Sequence, residues 1–179
     1  MERRVILVVL VLAMVLPALG QKYKAEKGST SFYSKATVED IKAENTQFSS
    51  LFNATSGDIA FSIPIKGYQF DKALMQEHFN EKYMETEKYP TATFSGKLQG
   101  YSPSGPATQS VTAKGKMNIH GVVRPVEIAG QVEKQGDKLL MKSSFVIKLA
   151  DYNVQIPKLL WQNIAEQVDV TIQATYKPQ

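Results

Sequence analysis

Few side chains in this sequence could do chemistry. There are two histidines, His78 and His120, and no cysteine. The absence of cysteine excludes thiol catalysis, disulfides, cysteine-ligated metals and lipid attachment at a processed N-terminal cysteine. Glu77, Glu81, Glu85 and Glu87 cluster around the first histidine in "EHFNEKYMETEK". A histidine beside a carboxylate can move protons. The same glutamates also make ordinary solvated helix decoration with Lys82, and that reading is preferred. The histidines lie far apart, one on a helical pattern and one on a turn, with no His-x-His or His-x-x-x-His spacing. No metal site is expected from them. No Gly-x-Ser-x-Gly, phosphate loop or dinucleotide fingerprint is present. No catalytic residue and no cofactor is therefore assigned.

His120 sits in "NIHGVVRPVEI", 118–128. It falls out of phase with the apolar Val111, Met117 and Ile119, and Gly121 follows it directly. Histidine tolerates a left-handed backbone better than most side chains, and two-residue hairpin turns need that conformation. His120 reads as a hairpin corner, with no partner carboxylate at recognisable spacing. His78 shares a helical face with Leu74 and Met75. It could bond the polar end of a ligand or tie the helix to a strand; because pocket polar groups are few, the tie is preferred.

The elements that would position these groups are mostly strands. Polar and apolar residues alternate in run after run, the signature of half-buried antiparallel strands. Candidate ligand-binding residues on the inward faces are Phe61 and Ile63 in 57–66, Phe94 in 91–98, and Val111 and Met117 in 110–119. Val126 continues the pattern after the turn. Met141, Phe145 and Ile147 follow in 139–149, and Val170 and Ile172 in the last run. Two or three weaker strands are expected between Tyr23 and about Gln47. Two stretches break the alternation: Asp71 to about Met84, a helix with Asp71 as N-cap, and 157–166, a shorter helix whose Trp161 could act as a lid. About eight antiparallel strands with one or two short helices fit a closed all-β barrel, since closure removes exposed edges. Eight strands leave room for side chains alone or for one small ligand. The small inward residues Ala92, Gly96, Ala113, Gly115, Gly130, Ser143 and Ala174 mark either a cavity or bends in the wall. Composition leaves those two readings level.

Residues 1–20 have the layout of a secretory signal peptide: Arg3 and Arg4, an apolar run from Val5 to Leu16, Pro17, then small residues before Gln21. Cleavage near Gly20/Gln21 and a periplasmic or secreted mature chain, 21–179, are expected. The apolar run is short of the roughly 20 residues a membrane span needs, so no integral span is expected. Removing Glu2, Arg3 and Arg4 lowers the formal charge of +4 by one. The remaining charges are interspersed, with no basic stripe for nucleic acid.

Three stretches together are distinctive: "EHFNEKYMETEKYPTATFSGKL" (77–98), "GKMNIHGVVRPVEI" (115–128) and "FVIKLADYNV" (145–154). In this order they resemble the YceI-like family of secreted polyisoprenoid-binding proteins, from about Phe32 onward. The resemblance implies a lipocalin-like barrel holding a long apolar chain such as a polyprenyl, a quinone tail or a fatty amide. Two stretches depart from the family's pattern, "YKAEKGSTSFYS" and "MQEH", which directs attention to the head-group end of any ligand. The expectation is thus a binding protein that sequesters or carries a lipid without catalysis. Its rivals are a solid barrel serving as a protein-interaction module, and a hydrolase acting on a lipid head group through His78. A homodimer is open, with no residue arguing for it.

Overall fold

The alternation does close into a barrel. A computed structural model describes residues 21–35, 40–156 and 165–179. The leader expected over 1–20 and the helix expected over 157–166, with Trp161, lie outside or almost wholly outside the described residues. Ten strands form one sheet: β1 (Lys22–Ser34), β2 (Ile41–Asn45), β3 (Ser49–Asn53), β4 (Asp58–Pro64), β5 (Gln69–Phe70), β6 (Thr91–Gln99), β7 (Thr108–Ile119), β8 (Val122–Gln135), β9 (Lys138–Lys148) and β10 (Gln167–Pro178). Every pairing is antiparallel, and β10 returns to β1 to close the ring. β2 pairs with the C-terminal half of β1 and β3 with its N-terminal end. They share one stave, and the two-residue β5 sits on the edge of β2. The result is an eight-stave barrel.

The expected weak strands before Gln47 are in fact one thirteen-residue strand, β1, and the short β2. The expected helix over 71–84 is also shorter. It runs as α1 (Ala73–His78) and continues as a π turn over Phe79–Tyr83. Lys72, not Asp71, occupies the N-cap position, with no side-chain cap bond. Two consecutive residues at left-handed φ, His120 (51°) and Gly121 (75°), make the two-residue turn between β7 and β8. That is the backbone such a hairpin demands.

The two ends of the barrel differ. At the end where β1 begins and β10 finishes, the interior is solid. Tyr176, Phe52, Val132 and Leu139 are fully or almost fully buried there. Phe52 meets Tyr23 and Tyr101 with ring centroids 6.3 and 5.3 Å away. The Tyr176 hydroxyl shares a 2.6 Å hydrogen bond with Ser50, whose Oγ lies 2.7 Å from the Ala60 carbonyl. Burial pushes the Tyr176 phenol far above its ordinary range. At the other end, α1 and the π turn cross the rim. Phe79 packs on Phe32, Tyr68 and Phe70 with centroids 4.9–5.8 Å apart, and fastens the helix there.

The small inward residues serve both expected roles. Gly96 and Gly115 face each other across β6 and β7. A Cβ on Gly96 would stand 2.2 Å from the Lys114 carbonyl oxygen and 2.7 Å from the Gly115 Cα. These two let the strands press together and curl. Ala92, Ala113 and Ser143 border open space, and Gly130 does both, lining the cavity while a Cβ on it would stand 2.9 Å from the Lys142 carbonyl oxygen.

An apolar chamber inside the barrel

Between the solid end and the helix lies a cavity of about 430 Å³. That falls in the range of roughly 300–1,000 Å³ for small-molecule sites. Its wall is built by the alternating faces of the staves. Ile59, Phe61 and Ile63 come from β4, Ala92, Phe94 and Leu98 from β6, and Val111, Ala113 and Met117 from β7. Met141, Phe145 and Ile147 of β9 and Val168, Val170 and Ile172 of β10 complete the far side. The rim is supplied by Phe32, Tyr68, Met75, Phe79 and Met84, and by Leu149 and Tyr152 after β9. Such a surface offers burial to hydrocarbon and almost no directional bonding. It can hold an apolar chain.

Of the residues expected on the wall from sequence, Phe61, Ile63, His78, Phe94, Val111, Met117, Met141, Phe145, Ile147, Val170 and Ile172 all border the cavity. Val126 does not. It faces inward and is half-buried against the core, but lies opposite Gly115, beside the tightly pressed glycine pair. Ile59, Leu98, Ala113 and Ile128 also line the chamber; the alternation contained them. Of the rim aromatics, Phe32 lies on β1, where it alternates with Ser34, whereas Tyr68 precedes β5 and Phe79 opens the π turn, where period two carries no signal.

His78 borders the cavity from the last position of α1. Among the described residues no hydrogen bond or ion pair ties it to a strand. The tie preferred from sequence is not what the described structure shows. Glu77 and Glu81 are exposed. Among the described residues no group of three or more metal-capable side chains assembles.

His120 is more than a corner. Its side chain is almost buried, 8% exposed, and Glu85 Oε2 lies 2.8 Å from its Nε2. Its Nδ1 is 3.2 Å from the Tyr152 carbonyl oxygen, and Tyr89 packs edge-on at 4.4 Å. The carboxylate partner that sequence spacing failed to reveal is thus present. The three non-glycine residues with left-handed φ among those described, Glu85, His120 and Asn153, all lie at this junction. Strain concentrated in one place is stable only where surrounding bonds over-determine it. His120 ties the β7–β8 turn to the chain before β6 and to the chain after β9.

The fold and the chamber define a lipocalin-like class: a closed antiparallel barrel, stoppered at one end and hollow above. The chain belongs to the YceI-like family, whose model matches residues 22–176 as a YceI-like domain. A search of curated proteins finds no match. Among solved structures, a polyisoprenoid-binding domain from Saccharophagus degradans, implicated in plant cell wall breakdown, superposes with a TM-score of 0.75 at 17% identity. The match covers 88% of this chain and 98% of that one. BcnA of Burkholderia cenocepacia gives 0.69 at 20% identity, over 83% and 95%. The YceI protein of Campylobacter jejuni gives 0.60 at 16%, over 81% and 88%. At these identities the likeness is one of fold.

Proposed function

We propose that this chain is a secreted or periplasmic binding protein that encloses a long apolar lipid, a polyprenyl, quinone tail or fatty amide, and carries or sequesters it without chemical change. The observation that carries the reading is the chamber: about 430 Å³ of internal space walled almost wholly by hydrocarbon and aromatic side chains. A folded interior normally fills such space to crystal-like density. Family membership and the fold shared with a polyisoprenoid-binding domain support the same reading. The layout of residues 1–20 supports export. Among the described residues no helix is long and apolar enough to cross a membrane.

Energetically, a methylene moved from water into such a site contributes up to about 0.8 kcal/mol. Ordering costs reduce this toward about 0.3 kcal/mol per atom. Each ten or so buried carbons then tightens binding by about two orders of magnitude. The test is to express the exported chain, purify it without detergent, and extract it with organic solvent for mass spectrometry. One stoichiometric lipid species is expected. A chain that emerges empty and takes up neither polyprenols, quinones nor fatty amides overturns the proposal.

A further inference from the structure

One end of the chamber is filled and a helix crosses the other, which directs attention to the side wall as a way in. One end is the Tyr176–Phe52–Tyr101 stopper. The other is crossed by α1 and the π turn, pinned through Phe79. Among the described residues, however, the side wall is incomplete at one seam. β8 pairs with β7 along its whole length, back to Val122. β9 pairs with β10 as far as Lys148. Between β8 and β9 the ladder stops at Gly130↔Ser143, although β8 begins eight residues earlier and β9 runs five residues on.

The sequence builds this opening. The two-residue turn at Gly136-Asp137 is closed by Gln135↔Lys138, a hydrogen-bonded pair in such a hairpin. Odd-numbered residues of β8 therefore turn their backbone groups toward β9. Pro125 is one of them and has no N–H to give. Proline is tolerated in strands where its nitrogen faces an edge. At the foot of the seam the Ser143 hydroxyl donates to the Ala129 carbonyl at 2.6 Å. At its head Arg124 donates to the Asp151 carbonyl at 3.1 Å, beside the His120–Tyr152 contact. The seam is thus a framed slot. Ile128, Gly130, Ser143, Phe145 and Ile147 present the chamber to it. On the outside it is bordered by the exposed Val123, Pro125 and Val146, and the one charged neighbour on that face of β8, Glu127, is drawn to Lys114 on the β7 side.

Gln131 and Lys142 face each other one rung below the seam, exposed and out of phase with the inward Gly130, Val132, Met141 and Ser143, so their side chains stand on the outer face at the foot of the opening. The other cross-strand neighbour of Lys142 is Gln173. Among the described residues Lys142 makes no ion pair. An ammonium between two amides, at the foot of an opening into hydrocarbon, suits an oxygen-bearing anionic head.

We propose that the β8–β9 seam is the portal through which the apolar chain enters, and that the ligand is an amphiphile whose carboxylate or phosphate head rests on Lys142 and Gln131. This rests on the container reading above and specifies its ligand class. The natural chain has no cysteine, so single cysteines can be placed freely. Val146→Cys at the seam and Leu51→Cys on β3, 51% and 52% exposed in the native chain, would each be capped with a bulky maleimide. Uptake and release of cis-parinaric acid, a fluorescent fatty acid, are followed by stopped flow. The adduct at 146 is expected to slow both rates about tenfold, equivalent to about 1.4 kcal/mol of barrier, with Kd unchanged; the adduct at 51 changes neither. Lys142→Gln is expected to weaken the acid several-fold and the corresponding alcohol not at all. Unchanged rates with the 146 adduct overturn the portal. Equal effects of Lys142→Gln on acid and alcohol overturn the head-group assignment. Uptake of the alcohol but not the acid by the unmodified chain also overturns the head-group assignment; if it takes up neither of these nor polyprenols, quinones or fatty amides, the container reading fails first and the portal with it.

Discussion

Two substitutions on one face of one strand separate a hollow barrel from a solid one. Ala113 and Gly115 are neighbours on the inward side of β7. Ala113 borders the chamber, between Leu98 and Ile128 on the adjacent strands. Ala113→Phe would place a ring in open space. A phenylalanine buries roughly 150–250 Å², of which about 100 Å² is new here; at about 25 cal/mol per Å² this is about 2.5 kcal/mol. Lost rotamer freedom returns about 0.5–1 kcal/mol. The empty protein should gain about 1–2 kcal/mol, in line with other cavity-filling changes. For a chain of this length that raises Tm by roughly 2–8 °C. Gly115→Ala should do the reverse. Its Cβ would sit 2.3 Å from the Ser95 carbonyl oxygen and 2.7 Å from the Gly96 Cα, both backbone atoms that cannot swing aside. A loss of about 1–3 kcal/mol or more is expected from such overpacking. The assay is thermal unfolding by circular dichroism of delipidated protein, paired with a lipid titration. Ala113→Phe should be more stable and should bind less. If it instead unfolds early, as Gly115→Ala does, the interior is already full and the chamber reasoning is wrong.

Three further outcomes are expected. His120→Ala removes bonds to Tyr152 and Glu85 and leaves a left-handed turn residue; it should lower the urea-derived stability by about 1–3 kcal/mol, and His120→Asn, which tolerates that backbone, by less. Tyr176 is buried neutral, with its phenol raised far above the unfolded value near 10. Below about pH 10 both states hold the proton and stability is flat; above it the unfolded state alone releases the proton, so stability falls with rising pH. Tyr176→Phe should flatten that alkaline decline in a series of denaturation curves. Phe52→Ala, at 1% exposure in the stopper, should cost about 3–5 kcal/mol, read as a drop in the urea midpoint.

Much of the site could be read in the sequence because a strand has period two. Alternation decides which side chains of β4, β6, β7, β9 and β10 face inward, and those faces line the chamber. The same phase argument put His120 at a corner, and its φ of 51° agrees. Depth is another matter. Val126 and Ile128 alternate identically on β8, yet only Ile128 borders the cavity. Their difference lies in what stands opposite: Gly115 for one and Ala113 for the other. Gly96 and Gly130 look alike in composition, but a Cβ on Gly96 would stand 2.2 Å from a backbone oxygen, and one on Gly130 2.9 Å, with the cavity beside it.

The sequence by itself therefore determined the strand faces, the hairpin corners and the apolar character of the interior, since each depends on residues next to one another in the chain. Tertiary structure alone decided the rest. It set Glu85 against His120 and Ser50 against Tyr176, pairs far apart in the chain. It stopped the β8–β9 ladder at Gly130, leaving Pro125 beside an edge that no described strand pairs. Whether inward residues meet across a barrel or leave a void depends on strand register and curl, and those are settled by contacts between distant staves, which no local periodicity encodes.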